Sequence, residues 1–141
     1  MREILLRVFP MRIFLALIAA GTTALAQADS YSFALDSIDS HIMMTLRTLS
    51  PVPCLGTSIR TQVQWEGDTV VVIVSGFIRP TPCIDGVEPA SARVSLGRQP
   101  KNAFFLRFRE ETSDDMWSAF RAEDGFHVAS IRRSFTSYVK K

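Results

Sequence analysis

Two cysteines, two histidines and a few clusters of carboxylates are the residues of this chain that could do chemistry, and their spacing decides what kind. Cys54 and Cys83 are far apart in sequence. A redox pair needs the close Cys-x-x-Cys spacing that depresses a thiol pKa, so a structural crosslink is the reading. His41 and His127 are remote from one another, and neither has a nearby cysteine or glycine-framed serine from which a nucleophile could be built. Asp36, Asp39 and His41 lie together but match no zinc, calcium or carboxylate-histidine spacing, and read as solvated residues ahead of the first clear strand.

Glu110, Glu111, Asp114 and Asp115 could offer oxygens to calcium. They lack both the glycine at the sharp turn and the spaced ladder of ligands, so an acidic surface loop is expected. Ser75-Gly76 follows an apolar run without the glycine two positions ahead that a nucleophile elbow requires. No phosphate-cradling loop occurs. No cofactor and no metal are expected.

Recognition residues are the other candidates. Trp117 beside the acidic stretch, and Arg79, Asp85 and Glu88 in a proline-bounded segment, are the side chains placed to meet a partner. Trp65 falls on the buried parity of its strand and reads as core. Arg132, Arg133, Lys140 and Lys141 make a basic tail, read as a solvated end.

The ends of the chain say where these residues would work. Arg2, Arg7 and Arg12 precede or interrupt an apolar run from Ile13 to Ala20, and small residues end at Ala24-Leu25-Ala26. Residues 1–26 are expected to be a secretory signal peptide of bacterial type, cleaved after Ala26, with translation starting at Met1 or at Met11. The uncharged segment is at the short end of what a membrane helix needs, so no stable span is expected after cleavage. The periplasm or the exterior is the expected location. Of the 16 basic and 14 acidic residues, removal of the three arginines and Glu3 leaves equal numbers. No global positive field would remain to recruit nucleic acid or anionic lipid. In that oxidising setting a Cys54–Cys83 disulfide is expected.

Residues 27–141 are a usual length for one domain. Ile42, Met44 and Leu46 alternate with Met43, Thr45 and Arg47 and predict a strand, with a helical phase over Ile38, Ile42, Leu46 and Leu49 as the competitor. Ser50-Pro51-Val52-Pro53 is expected to end that element. The clearest unit is a hairpin: Ile59 to Trp65 alternates, Glu66-Gly67-Asp68 turns, and Thr69 to Ile78 returns without a polar face. Folding it brings Cys54 and Cys83 to one end. A loop from Arg79 to Pro89, strands at Ala92–Leu96 and Phe104–Phe108, and a last hairpin from Trp117 to Ile131 follow. The segment from Val128 to Tyr138 also fits helical spacing, leaving a short C-terminal helix open. About seven short strands predict an all-β fold, two antiparallel sheets packed as an immunoglobulin-like sandwich.

Pro51-Val52-Pro53-Cys54, Thr81-Pro82-Cys83, Glu88-Pro89 and Val94-Ser95-Leu96-Gly97 together resemble a group of small bacterial exported domains. The resemblance covers residues 42–108 and implies an immunoglobulin-like sandwich with one bridge. It carries no catalytic or ligand residue. The expected function is a non-catalytic binding or accessory module contacting another envelope or secreted protein. An inhibitor of an exported protease or hydrolase is the second class, since a rigid disulfide-held loop lowers the entropy cost of insertion. An enzyme that joins His127 to the acidic stretch only on folding is the third.

Overall fold

A computed structural model of the chain describes residues 30–98 and 101–141. The signal-peptide assignment lies outside the described residues. Nine strands form: β1 (Tyr31–Ile38), β2 (His41–Leu55), β3 (Ser58–Glu66), β4 (Thr69–Ile78) and β5 (Ile84–Arg98), then β6 (Ala103–Glu110), β7 (Ser113–Ala122), β8 (Gly125–Arg132) and β9 (Thr136–Tyr138). No helix occurs among the described residues.

The all-β expectation holds, but the two-sheet antiparallel sandwich does not. All nine strands belong to one mixed sheet, ordered β8-β7-β6-β4-β3-β5-β2-β1-β9. β1 with β9, β3 with β5, and β4 with β6 pair in parallel, and the remaining neighbours are antiparallel. The sheet curls until its edges approach, so it is nearly closed like a barrel. Across the seam the Tyr138 hydroxyl donates to the Phe126 carbonyl at 3.1 Å. Twist lets a single sheet enclose its own face, which serves the same burial that a second sheet would.

Alternation within each strand supplies that buried face. Ile42, Met44 and Leu46 on β2 are fully buried, as are Leu106 and Phe108 on β6. Rings fill the interior: Phe33 lies 4.8 Å from Phe108, 5.1 Å from Trp117 and 5.4 Å from Tyr138, centre to centre. β4 is central, as its lack of a polar face predicts. Val70 and Val72 point into the core, while Val71 is equally buried on the outer face. Its register neighbours there are Gln64 and Arg107, whose aliphatic stems provide cover without a second layer.

Trp65 confirms its structural reading. At Ile42/Met43 the pairing with Gly97/Ser95 leaves Leu96 as the extra residue of a β-bulge. Its carbonyl is thereby freed from the ladder and accepts the Trp65 indole N–H at 2.6 Å.

Other expectations change. β1 is an interior strand of the sheet, between β2 and β9. The open possibility of a C-terminal helix resolves as β9, because Thr136 to Tyr138 pair with Tyr31 to Phe33. Pro51 and Pro53 do not stop β2, which runs on to Leu55. Beyond Thr48 it has left β1 and pairs with β5 alone. The prolines therefore sit on an open edge, where a missing donor costs no ladder bond. For the same reason much of the expected loop from Arg79 to Pro89 is strand, with β5 starting at Ile84. The acidic loop shrinks to the turn Glu111-Thr112, since Asp114 and Asp115 lie on β7.

Candidate functional site

The far ends of β2 and β5 project as a two-stranded arm, Pro51 to Leu55 against Ile84 to Pro89. The local sequence explains its tight tip. Cys54 is a non-glycine residue at φ 72° and Gly56 follows at φ 79°, turning the chain sharply into β3. Thr57, itself buried, donates its hydroxyl to the Cys54 carbonyl at 2.7 Å. Glu88 accepts the Gly56 N–H at 2.6 Å, a charge-assisted bond across the two strands. The Cys54–Cys83 disulfide closes the assembly, with Cα atoms 5.2 Å apart, as the hairpin geometry predicts. A left-handed conformation at a residue with a Cβ costs of order 1–3 kcal/mol, and these three restraints hold it.

Gly86 is required by contact. A Cβ on it would lie 2.7 Å from Leu55 Cγ and Cδ2, and its φ of 145° suits few other residues. Gly86→Ala is expected to destabilise the protein by about 1–2 kcal/mol. Chemical denaturation measures this, and an unchanged midpoint would show that Leu55 moves aside freely.

The arm is closed at its tip yet apolar on its surface. Val87 is 70% exposed and Ile84 58%. Leu49, Phe77 and Ile78, also exposed, border the same end of the barrel. Of the three binding candidates there, Arg79 lies in the non-strand segment after β4, while Asp85 and Glu88 stand on β5. The sequence offered a signal for the apolar ones: Ile84 and Val87 flank Asp85-Gly86 inside a stretch otherwise marked as a polar turn. The exposure of Phe77 and Ile78 had none, because they continue an apolar strand.

Trp117, the fourth candidate, belongs to the core. It is 4% exposed and its indole N–H donates to Thr136 Oγ1 at 2.9 Å. Asp115, read as part of a solvated loop, is fully buried. Its Oδ1 accepts from the Ser134 N–H and hydroxyl at 2.7 and 2.6 Å. Its Oδ2 accepts from the N–H groups of Phe135 and Thr136 and the Thr136 hydroxyl at 3.0, 2.8 and 2.6 Å. Burial pushes this carboxyl up, but the five donors outweigh it and hold it below the ordinary aspartate range. Nothing in the sequence links Ser134 to Thr136 with a carboxylate 19 residues earlier.

Several of the remaining polar residues are paired within the chain. Asp114 accepts a two-pronged contact from Arg107, Nε at 2.9 Å and Nη2 at 2.5 Å, and a further one from Arg132 at 3.0 Å. The Arg107 hydrogen bond holds it below the usual carboxylate range. His127 Nε2 lies 2.8 Å from Asp124 Oδ1 in the exposed β7–β8 turn. That contact lowers the Asp124 carboxyl. The acidic turn sits at the opposite end of β7, so the fold does not bring His127 and that cluster together. Asp36 pairs with Lys141 at 3.2 Å, and His41 Nδ1 lies 3.0 Å from the Asp39 carbonyl. Among the described residues, no group of three His, Cys, Asp or Glu side chains is placed to hold a metal. In the basic tail Arg132, Lys140 and Lys141 each meet an aspartate.

A groove of about 510 Å³ crosses the outer face of β6 to β8, with Phe105 and Phe120 on its walls and Lys101 and His127 at its rim. It lies at the end of the barrel away from the arm. Comparison with family models, with curated proteins and with solved structures gives no match to this chain.

Proposed function

We propose that the protein is an exported, non-catalytic binding module whose disulfide-closed arm holds another polypeptide. The observation that carries this reading is the exposure of Val87 and Ile84 on a backbone fixed at its tip by the Cys54–Cys83 bridge and the Glu88 to Gly56 bond. Apolar side chains left in water gain by association. Where their backbone is already immobilised, little conformational entropy is lost on contact. The export half of the reading rests on the amino-terminal arginines, apolar run and small residues. A disulfide is compatible with the oxidising compartment that such a signal leads to.

A photo-crosslinking residue placed at Val87 in the intact producing cell tests the proposal. The expected result is one discrete adduct, absent when the same probe stands at Arg121 at the other end of the barrel. Equal diffuse labelling from both positions would overturn it.

A further inference from the structure

We infer that the arm docks against the arm of a second copy of this chain, forming a symmetric dimer. This rests on the arm being a protein-binding surface and names its occupant. A two-fold contact sets one patch against itself, so an apolar centre is self-complementary and a charge at its margin is met only by an opposite charge in the same patch. The arm meets both conditions. Ile84 and Val87 are the exposed centre, with Asp85 between them on β5 and Arg79, also exposed, in the segment that leads to the bridged Cys83. Among the described residues neither Arg79 nor Asp85 has an ion-pair or hydrogen-bond partner within its own chain, whereas Glu88 is committed to Gly56. A free cation and a free anion on one self-facing patch complement each other across a two-fold axis, Arg79 of each copy meeting Asp85 of the other.

The backbone disposes of the competing geometry. Strand edges at this end are open on β2 past Thr48, on β4 past Ile73 and on β5 before Ser91, the last interrupted by Pro89 and by Gly86 at φ 145°. Pro51 and Pro53 remove donors from the first edge. Gly76, at φ 114°, lies where the β3–β4 register shifts and distorts the second. Both are devices that prevent edge-to-edge ladders. Contact between copies is therefore through side chains of the arm, and its strength depends on apolar fit and on the paired charges.

Sedimentation of the purified protein over a range of concentrations tests this. The expected result is twice the monomer mass, falling toward the monomer on dilution. Val87→Glu, at a position exposed enough to leave folding intact, is expected to give monomer throughout. Arg79→Glu and Asp85→Arg are each expected to weaken association roughly ten-fold. Together in one chain they should restore it, because each swapped charge then meets its swapped partner. A monomer at every concentration, or a dimer indifferent to Val87→Glu, overturns the inference, as does failure of the double exchange to rescue. A monomer that still gives the discrete Val87 adduct with a different protein in cells removes self-association alone. A monomer without any adduct removes the binding role of the arm as well. Wild-type monomer recovered on phospholipid vesicles, and released by Val87→Glu, would also overturn it in favour of a lipid surface.

Discussion

Asp115→Ala is expected to lower the free energy of unfolding by roughly 3–5 kcal/mol. The carboxylate is fully buried and receives five hydrogen bonds from Ser134, Phe135 and Thr136. Truncation leaves buried donors without an acceptor, and such groups cost more than the net worth of the bonds lost. Thr136 also accepts the Trp117 indole, so the loss spreads to the core ring that packs on Phe33. β9 is attached to the barrel by this segment and by its pairing with β1. Asp115→Asn keeps the volume while replacing one acceptor by a donor and removing the charge, and should cost about 2–4 kcal/mol. Chemical denaturation reads both, and hydrogen exchange of Thr136 to Tyr138 should rise first. Near-native stability of the Asn variant would show that the charge is dispensable.

The same group sets part of the acid response. Its folded carboxyl is held lower than in the open chain. The unfolded state therefore binds the proton more readily, and stability falls as pH falls. The contribution is complete well above the ordinary aspartate value of about 3.9 and disappears as pH drops through the lower folded value. Asp115→Asn should flatten the stability profile in that acid window and leave its shape unchanged at neutral pH.

Replacing both Cys54 and Cys83 with serine, or reducing the bridge, is expected to cost about 3–4 kcal/mol. The crosslink spans a sequence separation of 29 residues and encloses the whole β3–β4 hairpin, so it restricts the unfolded chain substantially. In the folded state its loss releases the tip. Cys54 is then held in its left-handed conformation only by Thr57 and by the bond from Gly56 to Glu88. Hydrogen exchange should therefore accelerate in Pro51 to Leu55 and Ile84 to Pro89, while β6 to β8 stay protected. Adducts through Val87 should weaken with it. An unshifted denaturation midpoint after reduction would remove the bridge as a stabilising element.

Which parts of this were readable in advance follows from the range of the interactions involved. The β3–β4 hairpin was legible because alternation, turn chemistry and a valine-rich return strand are all local. The bridge was legible because folding that hairpin brings its two flanks together. The buried parity of Ile42, Met44 and Leu46 was correct for the same reason. Asp115 was misread because its partners lie beyond another strand, and a carboxylate inside an acidic run looks solvated until the chain returns to it. Trp117 reads as a contact residue in the sequence because a tryptophan next to charged residues has the same local pattern on either face. The prolines of the arm look like terminators in the sequence because their tolerance depends on which neighbour is absent.

From the residues alone came the all-β class, the strand faces and the crosslink. These depend on period, turn propensity and thiol count, which act over a few residues or through one hairpin. Only the folded chain decided that one sheet curls on itself, that β5 enters between β2 and β3, and that β4–β6 and β1–β9 run in parallel. A strand with one apolar face is satisfied equally by a second sheet or by the far wall of its own sheet. Pairing order is set by long-range packing, and alternation within a strand carries no information about it.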